Sequence, residues 1–191
     1  MTRKSTTRDL AVMAILIALS LVIKRIISPV TNGLTDFFRI PGGSAAVGFS
    51  LAFLIIGKQI VSVPFAATQM GFVQALLALA LGFSNYQGGL AIFSYTAPGL
   101  VIDVLTFIMN NQHPLFCFTG GILSGLTSAA ISNLLVFHLM GISLLLWFLL
   151  AALSGALGGL IAWLISERLQ RVVSGFSHES AIVSKDEKKE N

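Results

Sequence analysis

The sequence predicts an all-α integral membrane protein, a single bundle of six transmembrane helices with the N- and C-termini in the cytoplasm. Three observations predict it. Of 191 residues, 55% are hydrophobic and only 10% charged, with a mean hydropathy of +0.87, whereas soluble domains carry roughly a quarter charged residues. The apolar residues come in long runs, the pattern of segments that cross lipid. Positive charge is uneven along the chain, which orients such a bundle.

The elements follow in order. The N-terminal MTRKSTTRDLAVMAILIALSLVIKR has the basic start and apolar run of a signal peptide, but Lys24-Arg25 closes it where a small-x-small cleavage site would stand. It is read as a short cytoplasmic N-terminus (1–8) and a retained helix 1 at 9–27. Helix 2 is placed at 43–58, helix 3 at 60–82, helix 4 at 89–111, helix 5 at 115–139 and helix 6 at 143–167. Most of these reach across a hydrocarbon core of about 30 Å at about 1.5 Å per residue; helix 2 is short for the task. The six-helix domain closes at residue 171, and SGFSHESAIVSKDEKKEN follows; over 172–191 its mixed charge and lack of a long apolar run predict a disordered cytoplasmic tail. With the N-terminus inside, nine Lys and Arg residues fall on the cytoplasmic side and three (Lys24, Arg25, Arg39) outside.

Small residues recur at four-residue spacing in helices 5 and 6, Gly121 with Gly125 and Gly155 with Gly159. Such spacing lets helix backbones approach closely.

Polar residues inside apolar helices are costly unless they face the bundle interior or a cavity. Counting helix rise, Gln74, Tyr95 and Asn133 fall at one depth, about 9 to 12 Å below the outer surface. His138 and Trp147 come nearer that surface. The layer suits an outward-facing pocket, and equally suits hydrogen bonds between helices. Deeper, Gln69, Asp103 and Ser124 come out at a similar distance from the inner ends of their helices. They are expected to share a polar network, a clamp in preference to a proton or cation site, because no basic residue is counted at that depth.

Catalytic and cofactor patterns are missing. GGILSGL lacks the glycine-flanked turn of an intramembrane serine protease, and no His-Glu-x-x-His or Walker A glycine loop occurs. No metal ligand set and no cofactor is predicted: His138 has no second ligand at metal spacing, and Cys117 is the only cysteine. The chain carries no ATPase motif of its own, so energy for ATP-driven transport is expected from a partner.

Ala11, Ala14 and Ala18 are three and four residues apart and form one small-residue stripe on helix 1. A six-helix chain of this size with that stripe resembles the substrate-binding S components of energy-coupling factor (ECF) transporters, over roughly residues 8–172. Pro41-Gly42-Gly43, after the first loop, adds to the likeness. The resemblance implies that Ala11, Ala14 and Ala18 dock on the membrane scaffold subunit EcfT, with two cytoplasmic ATPases completing the complex in a bacterial or archaeal plasma membrane. It implies an outer pocket formed by helices 4 to 6 and closed by outer loops, including DFFRIPGG. The expected substrate-binding residues are Phe37, Phe38, Arg39, Gln74, Tyr95, Asn133, His138 and Trp147. The aromatics suit a flat heteroaromatic ring, such as a thiamine-related pyrimidine or another vitamin. The competing reading is a stand-alone secondary transporter or channel with Asp103 as its coupling site.

Overall fold

A chain this apolar satisfies its backbone polar groups within each segment, and the outcome is helix throughout the described residues, with no strand among them. The computed structural model describes residues 7–35, 43–61, 63–82, 88–109 and 113–190, and side chains at 7–29, 47–61, 63–82, 88–109 and 113–168. Its helices are α1 (Thr7–Thr35), α2 (Gly43–Ile60), α3 (Ala66–Ala80), α4 (Ala91–Ile108), α5 (Pro114–Ser132) and α6 (Ile142–Glu190). Four segments are long and apolar enough to cross a membrane: Thr7–Pro29, Gly88–Ile108, Pro114–Phe137 and Ile142–Arg168. The apolar stretches of α2 and α3 are shorter.

α2 is the central helix. It packs most extensively on α6 and α1 and also touches α3, α4 and α5. Leu51, Ala52, Leu54, Ile55 and Ile56 are all buried, as expected of a helix that is apolar on every side. α1 is one-sided instead. Met13, Ile17, Ser20 and Leu21 are buried at three- and four-residue spacing, while Leu10, Ile15, Leu19, Val22 and Ile26 face outward.

Several boundaries differ from those the sequence predicts. Helix 3 begins at Ala66 and not at 60, because Pro64 cannot continue a helix from the residue before it and Phe65 takes a left-handed φ of 55°. α1 runs on to Thr35 through Pro29. The expected helix 5 is really two pieces: α5 gives way to one wide π turn, Asn133–Phe137, which ends at His138 with a φ of 48°. α6 continues as helix to Glu190, through the segment predicted to be a disordered tail. Its last residues, rich in Glu and Lys, carry good intrinsic helix propensity.

Glycines set how closely the helices meet. A Cβ on Gly155 would run into the Gly121 carbonyl, one on Gly159 into that of Cys117, and one on Gly125 would come within 2.7 Å of the Ala151 carbonyl. On its other face α6 receives α2, where a Cβ on Gly158 would strike the Gly48 carbonyl and the Gly48 N–H donates to Ser154 Oγ at 3.0 Å. α3 and α4 meet in the same way, Gly71 against Tyr95 and Gly99 against Ala67.

Candidate binding site

The interior of the bundle is not filled by α2 along its whole length. Gly48 and Gly121 face the same rung of α6, Gly48 against Ser154 and Gly158, Gly121 against Gly155 and Gly159. From that rung α2 reaches only from 48 back to 43, about 7.5 Å of rise, whereas α5 runs from 121 on to Ser132, about 16 Å. Gln59 Nε2 donates to Cys117 Sγ at 2.8 Å, so α2 runs antiparallel to α5 and its start points toward Ser132. Side chains around Ser94, Ser132 and Trp147 therefore stand beyond the N-terminus of the central helix.

Polar groups converge on this end. Lys24 Nζ of α1 donates to Tyr95 Oη of α4 at 2.6 Å and lies 4.0 Å from the centre of the Tyr95 ring. One turn away, Gln74 Nε2 of α3 donates to Ser20 Oγ of α1 at 2.7 Å, wholly buried. Ser128 Oγ donates to the Ser94 carbonyl and Ser132 Oγ to Ser94 Oγ, both at a long 3.4 Å. Trp147 is 3% exposed and packs against Phe137, ring centres 5.0 Å apart and tilted 49°. Its indole Nε1–H is buried and has no acceptor among the described residues, and Thr96 Oγ1 is likewise without a partner. Buried donors normally find partners, so this indole N–H is a candidate ligand contact among the described residues.

The expected outer residues are thus dispersed among different partners. Gln74 ties α3 to α1, as an interhelical hydrogen bond and not as a neighbour of Asn133. Asn133 closes the π turn: its Oδ1 accepts from the Leu139 N–H at 2.7 Å, fixing the entry to α6. His138 is exposed and serves as the left-handed stop of that turn. Tyr95 is held by Lys24 and packs against the main core, and Trp147 packs with Phe137 in a separate cluster. Phe37, Phe38 and Arg39 lie outside the described residues.

The deeper layer is arranged differently from the expected one. Asp103 pairs with Lys58 Nζ at 2.8 Å, their side chains 1% and 11% exposed. Its Oδ2 accepts from both the N–H and the Oγ1–H of Thr68 at 2.7 Å. Thr68 is the third residue of α3, whose preceding residue Phe65 offers no capping side chain. Asp103 of the neighbouring helix α4 therefore supplies the capping acceptor that Phe65 lacks, and its negative charge sits at the positive end of α3. Gln69 is exposed and takes no part in this cluster, and Ser124 donates to the Gly120 carbonyl of its own helix. The count that found no basic residue at this depth is corrected: a lysine stem carries its charge well away from its own Cα.

Ala11, Ala14 and Ala18 are exposed, on the flank of α1 beside the buried Met13, Ile17 and Leu21. Among the described residues, no group of three or more His, Cys, Asp or Glu side chains is placed to hold a metal ion.

Comparison with known proteins finds no matching family model, no matching curated protein and no matching solved structure.

Lys24, Ser20, Lys58 and Thr68 escaped the sequence reading. Ser20 and Lys24 follow Ile17 at helical spacing, so the period of the α1 core already carried their inward direction. Lys58 and Thr68 left no comparable mark, since their partner is more than thirty positions along the chain.

Proposed function

We propose that the chain is a six-helix protein of a bacterial or archaeal plasma membrane, with both termini cytoplasmic, and the substrate-binding S component of an ECF-type ABC importer. It captures a small water-soluble vitamin or cofactor precursor outside, docks on an EcfT-like scaffold, and releases the substrate inside when two partner ATPases hydrolyse ATP. The observation that carries this reading is the exposed stripe Ala11, Ala14 and Ala18 on α1. The bundle's own core uses the adjoining face of that helix, Met13, Ile17 and Leu21, and the exposed small residues beside it suit a close helix–helix contact in lipid, where association rests on backbone approach and packing. Substrate enters at the end where α2 stops short, and Trp147 and Tyr95 meet its flat faces.

Co-expression with an EcfT-type scaffold and its ATPases tests the reading. Copurification of the four chains and substrate uptake lost on inactivating the ATPases are the expected results. A14W/A18W abolishes assembly and uptake and leaves ligand affinity near normal; loss of affinity with assembly intact refutes the docking role.

The buried carboxylate of Asp103 favours one second reading, a secondary transporter coupled through that group. Proton-driven uptake by the isolated chain, abolished in D103N, is the result that would establish it. The Lys58 and Thr68 contacts already occupy both carboxylate oxygens, which supports a structural clamp.

A further inference from the structure

The outward face of α6 carries a pattern that the bundle's own packing does not use. Leu146, Leu150, Leu153, Leu157, Leu160 and Leu164 follow one another at alternating steps of four and three residues. Those steps mark the a and d positions of a heptad, the spacing by which one helix offers a seam to another. At about 3.6 residues per turn the leucines stay within one stripe about 80° wide. Leu153, Leu157, Leu160 and Leu164 are between 43% and 58% exposed, whereas Ala151, Gly155, Gly158 and Ala162 are buried on the far side, where α6 meets α5 and α2. From Leu146 to Leu164 the stripe rises about 27 Å, close to the thickness of a hydrocarbon core. Leucine facing lipid is ordinary, but here the same steps run on past the apolar stretch to Glu167 and Arg171. Two copies inserted with the same topology present α6 in the same direction. In such a parallel pair, a d side chain enters a hole made by the second copy's residues at a, d, e and the next a. For Glu167, at position d, that hole is Leu164, Glu167, Arg168 and Arg171 of the second copy, with Arg171 placed by its register alone. Two acids would thus lie among four arginines where the leucines end, so the chain is complementary in charge to a copy of itself.

We propose that this face of α6 docks a second copy of the chain, as a parallel two-fold dimer with the leucines interleaved and Glu167 paired with the second copy's Arg168 and Arg171. Lipid tails are as apolar as leucine, so the association rests on side-chain packing along the seam, and the charged end fixes direction and register. Glu167 and Arg171 are also four apart on one helix and can pair there; the test separates the two uses. The proposal goes beyond the binding-subunit reading. It uses α6, whereas the docking stripe of that reading is on α1, and either can fail without the other.

Two batches of the full chain, labelled with donor and acceptor fluorophores, are reconstituted together in phosphatidylcholine vesicles, and energy transfer is followed as lipid is added. A saturable dimer curve is expected, with two photobleaching steps per particle. L153A/L157A/L160A should weaken dimerisation at least about 10-fold, because three truncated knobs forfeit most contacts at the centre of the seam. L145A, exposed but off the seam, should change it by less than about 2-fold. Transfer no greater than chance collision means that lipid alone covers the face, and overturns the proposal. More than two copies per particle, or a dimer indifferent to the triple variant, overturns it as well. E167K and R168E/R171E are each expected to dimerise poorly alone and to pair with one another when mixed. A mixture no better than either variant confines those charges to one helix and overturns the parallel register. Should the triple variant fail to fold, single cysteines give a second measurement. Leu157→Cys is expected to form a disulfide-linked dimer with copper phenanthroline as oxidant, and Leu145→Cys is not; the natural Cys117 is buried. The reverse result overturns the seam. Copurification with the scaffold and ATPases is scored separately. If it succeeds while dimerisation fails, only the α6 seam is refuted; if it fails while the dimer forms, the S-component reading is refuted and the seam stands.

Discussion

Breaking the Lys58–Asp103 pair should destabilise the bundle more than any other charge change in the described residues. The Lys58–Asp103 pair joins the end of α2 to the middle of α4, and Thr68 adds the first turn of α3. In K58M the carboxylate keeps both Thr68 donors but loses its counter-ion while remaining 1% exposed. Stranding one member of a buried pair costs about 3 to 5 kcal/mol. D103L strands the lysine and also uncaps α3, adding about 1 to 3 kcal/mol for the Thr68 donors left without an acceptor. The double variant K58M/D103L has no stranded charge, so its loss should fall below the sum of the single losses by about 2 kcal/mol or more. Equilibrium unfolding in mixed micelles, followed by tryptophan emission, measures all four corners of the cycle. Strictly additive losses, or a K58M loss under about 1 kcal/mol, would refute the argument that this pair and the capping of α3 form one unit.

Gly155→Leu drives a side chain into the Gly121 backbone and should cost at least about 3 kcal/mol or prevent folding, read as loss of monodisperse protein in detergent. Gly89→Ala, whose Cβ meets nothing within 4 Å, should stay within about 0.5 kcal/mol in the same assay. Gln74→Leu alone leaves the buried Ser20 hydroxyl without its donor and should cost about 1 to 3 kcal/mol, while Q74L/S20A recovers most of that on denaturant titration. Asn133→Ala frees the Leu139 N–H and should cost about 1 kcal/mol, visible as faster hydrogen exchange at Leu139 with α6 unchanged.

The amino-acid order alone settled the helical class and the number of helices, because an apolar chain can satisfy its backbone in lipid only within each segment. It also placed the Gly121, Gly125, Gly155 and Gly159 contacts on the right helices, since small-residue spacing is a local pattern that survives any arrangement of neighbours. Partner choice was a different matter. Gln74 was grouped with Asn133 by depth, yet it bonds Ser20; Asp103 was grouped with Gln69 and Ser124, yet it bonds Lys58 and Thr68. Depth counted along a helix axis carries no information on how each helix is rotated or tilted, and it treats a lysine as if its charge sat at Cα. Those rotations are set where backbones touch, at Gly71 on Tyr95 and Gly48 on α6, and they decide which polar groups point inward together. The contact of the Lys24 ammonium with Tyr95 exists only once α1 and α4 are packed, for it is a meeting of residues 71 positions apart.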